Sequence, residues 1–384
     1  MKKNNIIYMT AGEESGDMLG GEVLKNLKGA KNNFVVKGIG GNEMKSHGLI
    51  SVFDSQKLGF MGFFELVRHV FVIRTALNTV YRSICIDRPE LILMIDFSEF
   101  HIKLAKKIKK RLPDTKIIKY VSPQIWASRP SRIKDIVKYY DCICCILPFE
   151  SQIYKNEMID CRYVGHPLND KYDLKYSFTE FYKKFGLDEN KTMISVFPGS
   201  RKQEIKKHMP VISDYFRILS KKYPDAEFAI CKSGNLKEGI FDNYKLPADI
   251  KIIPSDHQWE IMSYSGIVLC KSGTSTLQTV ITGTPSIVFY KVNYLSFLIA
   301  SCIVMSKYIS LPNIIAGKQI NPELIQSDFN PLNLLRETEK LLNNEDIYDL
   351  RKKELKLVKE SLGGKGAALN VANIVEEYFW SKIR

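Results

Sequence analysis

What this 384-residue chain lacks narrows its chemistry first. No apolar run reaches the ~18 residues that cross a bilayer. The nearest, 294–305, is flanked by Lys291 and Lys307 and reads as a buried helix near a domain junction. The opening run Ile6–Met9 is too short for a signal-peptide core and no small-residue cleavage site follows, so a cytoplasmic protein is expected. No Asp-x-Asp pair and no His/Cys/Asp/Glu cluster at metal-ligand spacing occurs, so no metal site is expected. The eight cysteines follow no ligand pattern; Cys142, Cys144 and Cys145 fall in an apolar segment that reads as a buried strand of reduced thiols. RNP, KH, zinc-finger and helix-turn-helix patterns are missing, and so are repeats and low-complexity tracts.

What is present is an ordinary globular balance, 45% hydrophobic and 26% charged, long enough for two cores. The net charge of +14 is carried by lysines scattered on helical faces such as Lys103–Arg111, and in sum it favours anionic partners. Short, almost wholly apolar runs alternate with amphipathic stretches: Ile6–Thr10, Phe34–Gly38, Leu91–Ile95, Lys116–Val121 and Cys142–Leu147. Strands buried on both faces read this way, which predicts a βαβ series and a doubly wound parallel sheet. Cys161–Leu168 reads as a further strand ending in Gly165-His166-Pro167, and a polar stretch follows. A second series comprises Thr192–Phe197, Glu227–Cys231, Ile250–Ile253, Gly266–Cys270 and Pro285–Tyr290. The expectation is two Rossmann-like α/β domains, 1–170 and 171–366, with a last helix at about 367–381 packing back on the first. Ligands of such domains meet the carboxyl ends of the strands.

Several motifs sit at those ends. Ala11–Asp17 has Gly12 and Gly16 for a tight turn, Ser15 or Asp17 to cap a helix starting near Met18, and acids unsuited to pyrophosphate. It reads as an acceptor-facing loop or as a plain capped turn. Gly40-Gly41 allows close backbone approach, as any turn does. Asp96 follows Leu91–Ile95 directly and suits a general base, with Glu99 and His101 as rivals and a helix-cap role as the alternative. Ser122–Arg129 joins a proline turn, Trp126 and Arg129, to stack on a sugar, hold a phosphate, or pack. Gly199, Ser200 and Arg201 follow one strand of the second series, and Lys271-Ser272-Gly273-Thr274 follow another. Both present backbone N–H groups at a helix N-terminus, as a diphosphate site needs. The stretch 58–76 interleaves Phe60, Met61, Phe63 and Phe64 with Arg68, His69 and Arg74 and suits core packing or an acyl-chain site at a membrane surface.

In order along nearly the whole chain, these segments resemble lipid-A-disaccharide synthase, a GT-B glycosyltransferase family. The resemblance rests on Ala11–Asp17, Gly40-Gly41 with Met44 and Gly48, 61–65, Asp96–His101, Ser122–Arg129 and 148–150. It continues through Val164–Pro167, Pro198–Glu204, Ser272–Thr274, Leu311–Gly317 and Pro322–Gln326. It implies a metal-independent, cofactor-free, inverting transfer of 2,3-diacylglucosamine from UDP to the 6-hydroxyl of 2,3-diacylglucosamine 1-phosphate. The protein would be a monomer or homodimer held peripherally at the inner membrane, with no nucleic-acid partner. By the same carry-over Asp96, Glu13 and Arg201 would be catalytic. Gly199, Ser200, Arg201, Ser272, Gly273, Thr274, Gln278, Asn313 and Gln326 would bind UDP. Glu14, Ser15, Met61, Phe63, Phe64, Trp126 and Arg129 would face the acceptor or its lipid. The chain departs from the family pattern at Glu99 and His101, which replace an acid and an amide, at Ser128 (an aromatic) and at Gln278 (a glutamate). The competing readings are another GT-B enzyme of UDP-N-acetylglucosamine, an epimerase or a transferase, and a basic membrane-surface or nucleic-acid-binding protein.

Overall fold

The computed structural model describes residues 5–29, 34–58, 66–294, 297 and 304–381. The chain forms two compact units, residues 1–170 with 364–384, and residues 171–363.

In the first unit β1 (Ile6–Ala11), β2 (Val35–Gly40), β3 (Ile50–Asp54), β4 (Leu91–Ile95), β5 (Lys116–Tyr120), β6 (Cys142–Cys145) and β7 (Asp160–Tyr163) form one parallel sheet in the order β3-β2-β1-β4-β5-β6-β7. Successive side chains of a strand feed opposite cores. Ile7, Met9, Leu91, Leu93 and Ile95 pack with Val371, Val375 and Phe379 of the last helix. Tyr8, Ile92 and Met94 pack with Leu77, Val80, Leu104 and Ile108 on the other face. That two-sided burial explains why the strands read as unbroken apolar runs.

The last helix, Ala367–Ser381, is bound into this unit by more than apolar contact. Asp170 accepts from the N–H groups of Gly366 (2.6 Å) and Ala367 (3.1 Å) and so caps it. Arg162 forks onto Glu377, and Phe34 meets Phe379 edge to face at 4.9 Å.

In the second unit β8 (Thr192–Phe197), β9 (Ala226–Lys232), β10 (Lys251–Pro254), β11 (Ile267–Lys271), β12 (Ser286–Tyr290) and β13 (Glu323–Ile325) run parallel in the order β10-β9-β8-β11-β12-β13. Ile194, Val196, Leu269 and Phe289 face the helix Lys202–Lys222, while Met193, Val268 and Val288 face Phe181, Ile261 and Met262. The strand order reverses between β1 and β4 in one unit and between β8 and β11 in the other. Doubly wound sheets bind ligands at such reversals.

Four local expectations change. The first helix begins at Glu14, not near Met18. Asp17 caps a different segment: its carboxylate accepts from the N–H groups of Gly41 (2.6 Å), Glu43 (3.0 Å) and Met44 (3.2 Å). Gly40 and Gly41 are therefore glycines for internal reasons. A Cβ on Gly41 would fall 2.5 Å from Asp17 Oδ2, and one on Gly40 2.5 Å from Leu49. The strand expected over Cys161–Leu168 spans Asp160–Tyr163, and Pro167–Asn169 forms a 3-10 turn. Of the segment expected to be a buried helix, Tyr294, Val304 and Met305 are exposed, and most of the rest lies outside the described residues.

Candidate functional site

At the reversal in the first unit, Ala11 of β1 pairs with Ile95 of β4, and Ile95 pairs with Tyr120 of β5. The loops carrying Gly12-Glu13, Asp96 and Ser122 thus leave neighbouring strands at one level. A cleft of about 620 Å³ opens beside the first, lined by Gly12, Glu13, Glu14, Met18, Asn42 and Gln56 among others. Ser15 is exposed on the same helix. Phe97 lies over Gly12, where any Cβ would come within 2.3 Å of its ring.

Asp96 and Phe97 have φ of 49° and 47°, and Val121, after β5, has 67°. Left-handed backbone at non-glycine residues costs energy, most at a β-branched one, and such strain gathers at functional sites. The Asp96 N–H donates to Tyr120 O at 3.0 Å. Its carboxylate is half-buried and takes no hydrogen bond or ion pair among the described residues.

Both rivals are committed elsewhere. Glu99 is paired with Arg129 and Arg132 on the surface. His101 is fully buried: Nδ1 lies 2.6 Å from Asp96 O and Nε2 lies 3.0 Å from Thr10 Oγ1. The partners assign a neutral ring, Nδ1–H donating and Nε2 accepting. Burial, and then the nearby Lys119, push its pKa well below the ordinary value.

Trp126 is anchored within its own unit, its Nε1–H donating to Glu150 Oε1 at 3.2 Å and its ring edge-on to Phe149 at 5.2 Å. Glu150 also accepts from the Leu147 N–H, and burial raises its carboxyl to about 7 against those two bonds. Neither Trp126 nor Arg129 lines the 620 Å³ cleft. Met61, Phe63 and Phe64 lie outside the described residues. Just beyond them, Val70 and Phe71 are 59% and 67% exposed, with Arg74 also exposed nearby.

At the reversal in the second unit a pocket of about 250 Å³ is lined by Gly199, Ser200, Lys271, Gly273, Thr274 and Ser233 among others. Four residues expected at a nucleotide site thus gather there. The detailed expectation for the first loop needs correction. The N–H groups of Ser200 (3.0 Å) and Arg201 (3.2 Å) donate to Glu204 Oε2, not to open space. Gly199, at φ 122°, has no room for a Cβ, which would fall 2.4 Å from that oxygen. Lys271 Nζ lies 3.1 Å from Glu204 Oε1 and ties the two loops together. Burial pushes the Glu204 carboxyl up, but Lys271 and the two N–H groups outweigh it and hold it below the ordinary value. His208 supports the loop from below, donating from Nδ1 to Pro198 O (2.6 Å) and accepting at Nε2 from the Lys291 N–H (3.3 Å).

Arg201 is exposed on the same loop as Gly199 and Ser200, and the remaining expected nucleotide residues are not among those that line this pocket. Ser272 Oγ donates to Ile309 O. Gln278 is buried in the helix Thr274–Thr282. Asn313 is fully buried and saturated: Oδ1 accepts from the Ile320 and Asn321 N–H groups, and Nδ2 donates to Asn321 O and Glu323. Gln326 Oε1 accepts from the Val292 N–H at 2.9 Å. These three polar side chains, Ser272, Asn313 and Gln326, shape the loops around β13. Among the described residues no three His, Cys, Asp or Glu side chains gather as a metal site would require.

The model of the family Lipid-A-disaccharide synthetase matches residues 7–372. The chain belongs to the lipid-A-disaccharide synthase family. It is similar to the lipid-A-disaccharide synthase of Acinetobacter baylyi, 35% identical with 88% of each chain covered. It is also similar to that of a Sulfurihydrogenibium species, 32% identical with 98% of each covered. Among solved structures it resembles a UDP-GlcNAc 2-epimerase from Neisseria meningitidis, with a TM-score of 0.63, 12% identity, and 97% of this chain and 99% of that one covered. It also resembles the calicheamicin glycosyltransferase CalG4, with a TM-score of 0.60, 12% identity and both chains fully covered. Those likenesses show the fold, that of GT-B enzymes. The family makes this protein a hexosyltransferase of lipid A disaccharide synthesis.

Proposed function

We propose that the protein transfers 2,3-diacylglucosamine from UDP to the 6-hydroxyl of 2,3-diacylglucosamine 1-phosphate, with Asp96 as base and no metal ion. The observation that carries the mechanism is the uncommitted Asp96 carboxylate at the sheet reversal, with Glu99 in ion pairs and His101 sealed from solvent. Asp96 takes the proton of the 6-hydroxyl as its oxygen forms a bond to the donor's anomeric carbon. The bond from that carbon to the diphosphate breaks on the opposite side and UDP leaves. One displacement inverts the configuration and needs no covalent intermediate. Lys271 and Arg201 receive the negative charge that develops on the leaving diphosphate. Lys271 then exchanges Glu204 for a phosphate oxygen. Glu13 and Glu14 border the acceptor, and the acyl chains stay in a membrane that the basic surface and the Val70–Phe71 face meet from the cytoplasm.

A UDP-release assay tests the proposal, with UDP-2,3-diacylglucosamine, detergent and EDTA, with and without acceptor. Acceptor-dependent release is the expected result. A protein that binds UDP but releases none refutes these substrates, and release that needs added Mg²⁺ refutes the metal-free reaction. Turnover of UDP-N-acetylglucosamine in place of the acylated donor would favour an epimerase or N-acetylglucosaminyltransferase.

A further inference from the structure

Beneath Asp96 lies a buried polar cluster that the transfer chemistry does not use. Lys119, on β5, is fully buried and makes no ion pair among the described residues. Its ammonium donates to the Asp96 carbonyl, and His101 Nδ1 reaches the same oxygen at 2.6 Å. Lys119 Nζ and His101 Nδ1 are 3.3 Å apart, and Thr10 on β1 fixes the far side of the ring at 3.0 Å. Two neighbouring elements therefore converge on one main-chain oxygen, and a third holds the histidine from behind. That oxygen belongs to a residue whose φ of 49° is unfavourable for an aspartate unless its surroundings enforce it. An unpaired buried lysine is costly and is seldom kept for stability alone. Burial lowers Lys119 to about 7, against the nearby Asp96, which raises it.

We propose that Lys119 and His101 are positioning residues for the transfer, clamping the Asp96 carbonyl so that the left-handed turn aims the carboxylate at the acceptor hydroxyl. The inference rests on Asp96 being the base. His101 stands where the family resemblance expects an amide, and an amide N–H could reach the same carbonyl. Lys119→Met keeps the length and removes the donor and the charge.

The test measures kcat, the KM for both substrates, UDP affinity and the thermal midpoint. Lys119→Met should lower kcat by roughly 10- to 100-fold, as misaimed catalytic groups do. KM and UDP affinity should stay within about twofold, since neither substrate touches the clamp. The midpoint should hold or rise, because an unpaired buried charge is gone. His101→Leu should lose kcat likewise, and His101→Asn should recover most of it. Native kcat in Lys119→Met, a loss confined to KM, or an Asn variant as impaired as Leu overturns the inference. Should Lys119→Met not fold, the two His101 variants decide alone. Asp96→Asn run beside them separates the failures. If it keeps native kcat, the base reading falls; if it alone is inactive, only the clamp falls.

Discussion

Asp96 combines a strained backbone with a side chain that makes no hydrogen bond or ion pair among the described residues, and that combination directs the residue-level predictions. Asp96→Asn should reduce kcat by about 100-fold or more while the UDP dissociation constant, measured by calorimetry, stays unchanged. Arg201→Ala should instead weaken UDP binding by about 1.5–3 kcal/mol, the range for a charge-assisted bond; an unchanged constant removes Arg201 from the diphosphate site. Asp17→Ala strands three backbone N–H groups and should cost roughly 2–4 kcal/mol in urea unfolding. Some of this was legible in the sequence. Asp96 announced itself by ending an apolar strand. Glu204 could have been read from its place three residues after Arg201, the spacing of a helix-capping carboxylate. Lys119 could not: its partner Asp96 is 23 residues away, and a lysine in a strand looks like an edge residue until the sheet is assembled.

Among the elements, strands buried on both faces were readable because two-sided burial leaves no polar positions. The edge strands β3 and β13 were missed because they are short and, with one exception, half-exposed or exposed, so their residues alternate or mix. Loop function was harder to read, since Asn313 and Gln326 serve partners brought near only by folding, Ile320–Asn321 and Val292. The last helix buries Val371, Val375 and Phe379 against the first sheet. Removing residues 364–384 should therefore expose that face, giving a protein that binds ANS strongly and loses cooperative unfolding of the first unit. A truncated protein with a native urea transition would show the helix to be dispensable. Asp170→Ala removes only its cap and should cost about 1–2 kcal/mol.

Across the whole molecule, buried histidines set the acid limit. Burial lowers His166 to about 4, and His101 and His208 also lie below the usual 6.5. Each is harder to protonate folded than unfolded, so near pH 5 the unfolded chain binds more protons. Their contribution is intact above 6.5 and is lost as pH falls toward the folded values. Glu150 opposes them: with a folded value of about 7 it adds stability below 7, fully so beneath 4.5. His257 is lowered too, so among the described residues four histidines against one glutamate predict that the unfolding free energy from urea titrations drops between pH 6.5 and 5; a flat or rising profile would contradict it. The placement of the last helix has one more consequence, in the order of synthesis. Residues 171–363 leave the ribosome whole before Gly366 and Ala367 emerge to meet Asp170. The second unit can fold first, while the first waits, one face of its sheet only partly covered, for residues 367–381, inverting the usual N-to-C sequence of domain folding. A released chain ending at residue 363 should therefore carry a protease-resistant second unit behind a protease-sensitive first.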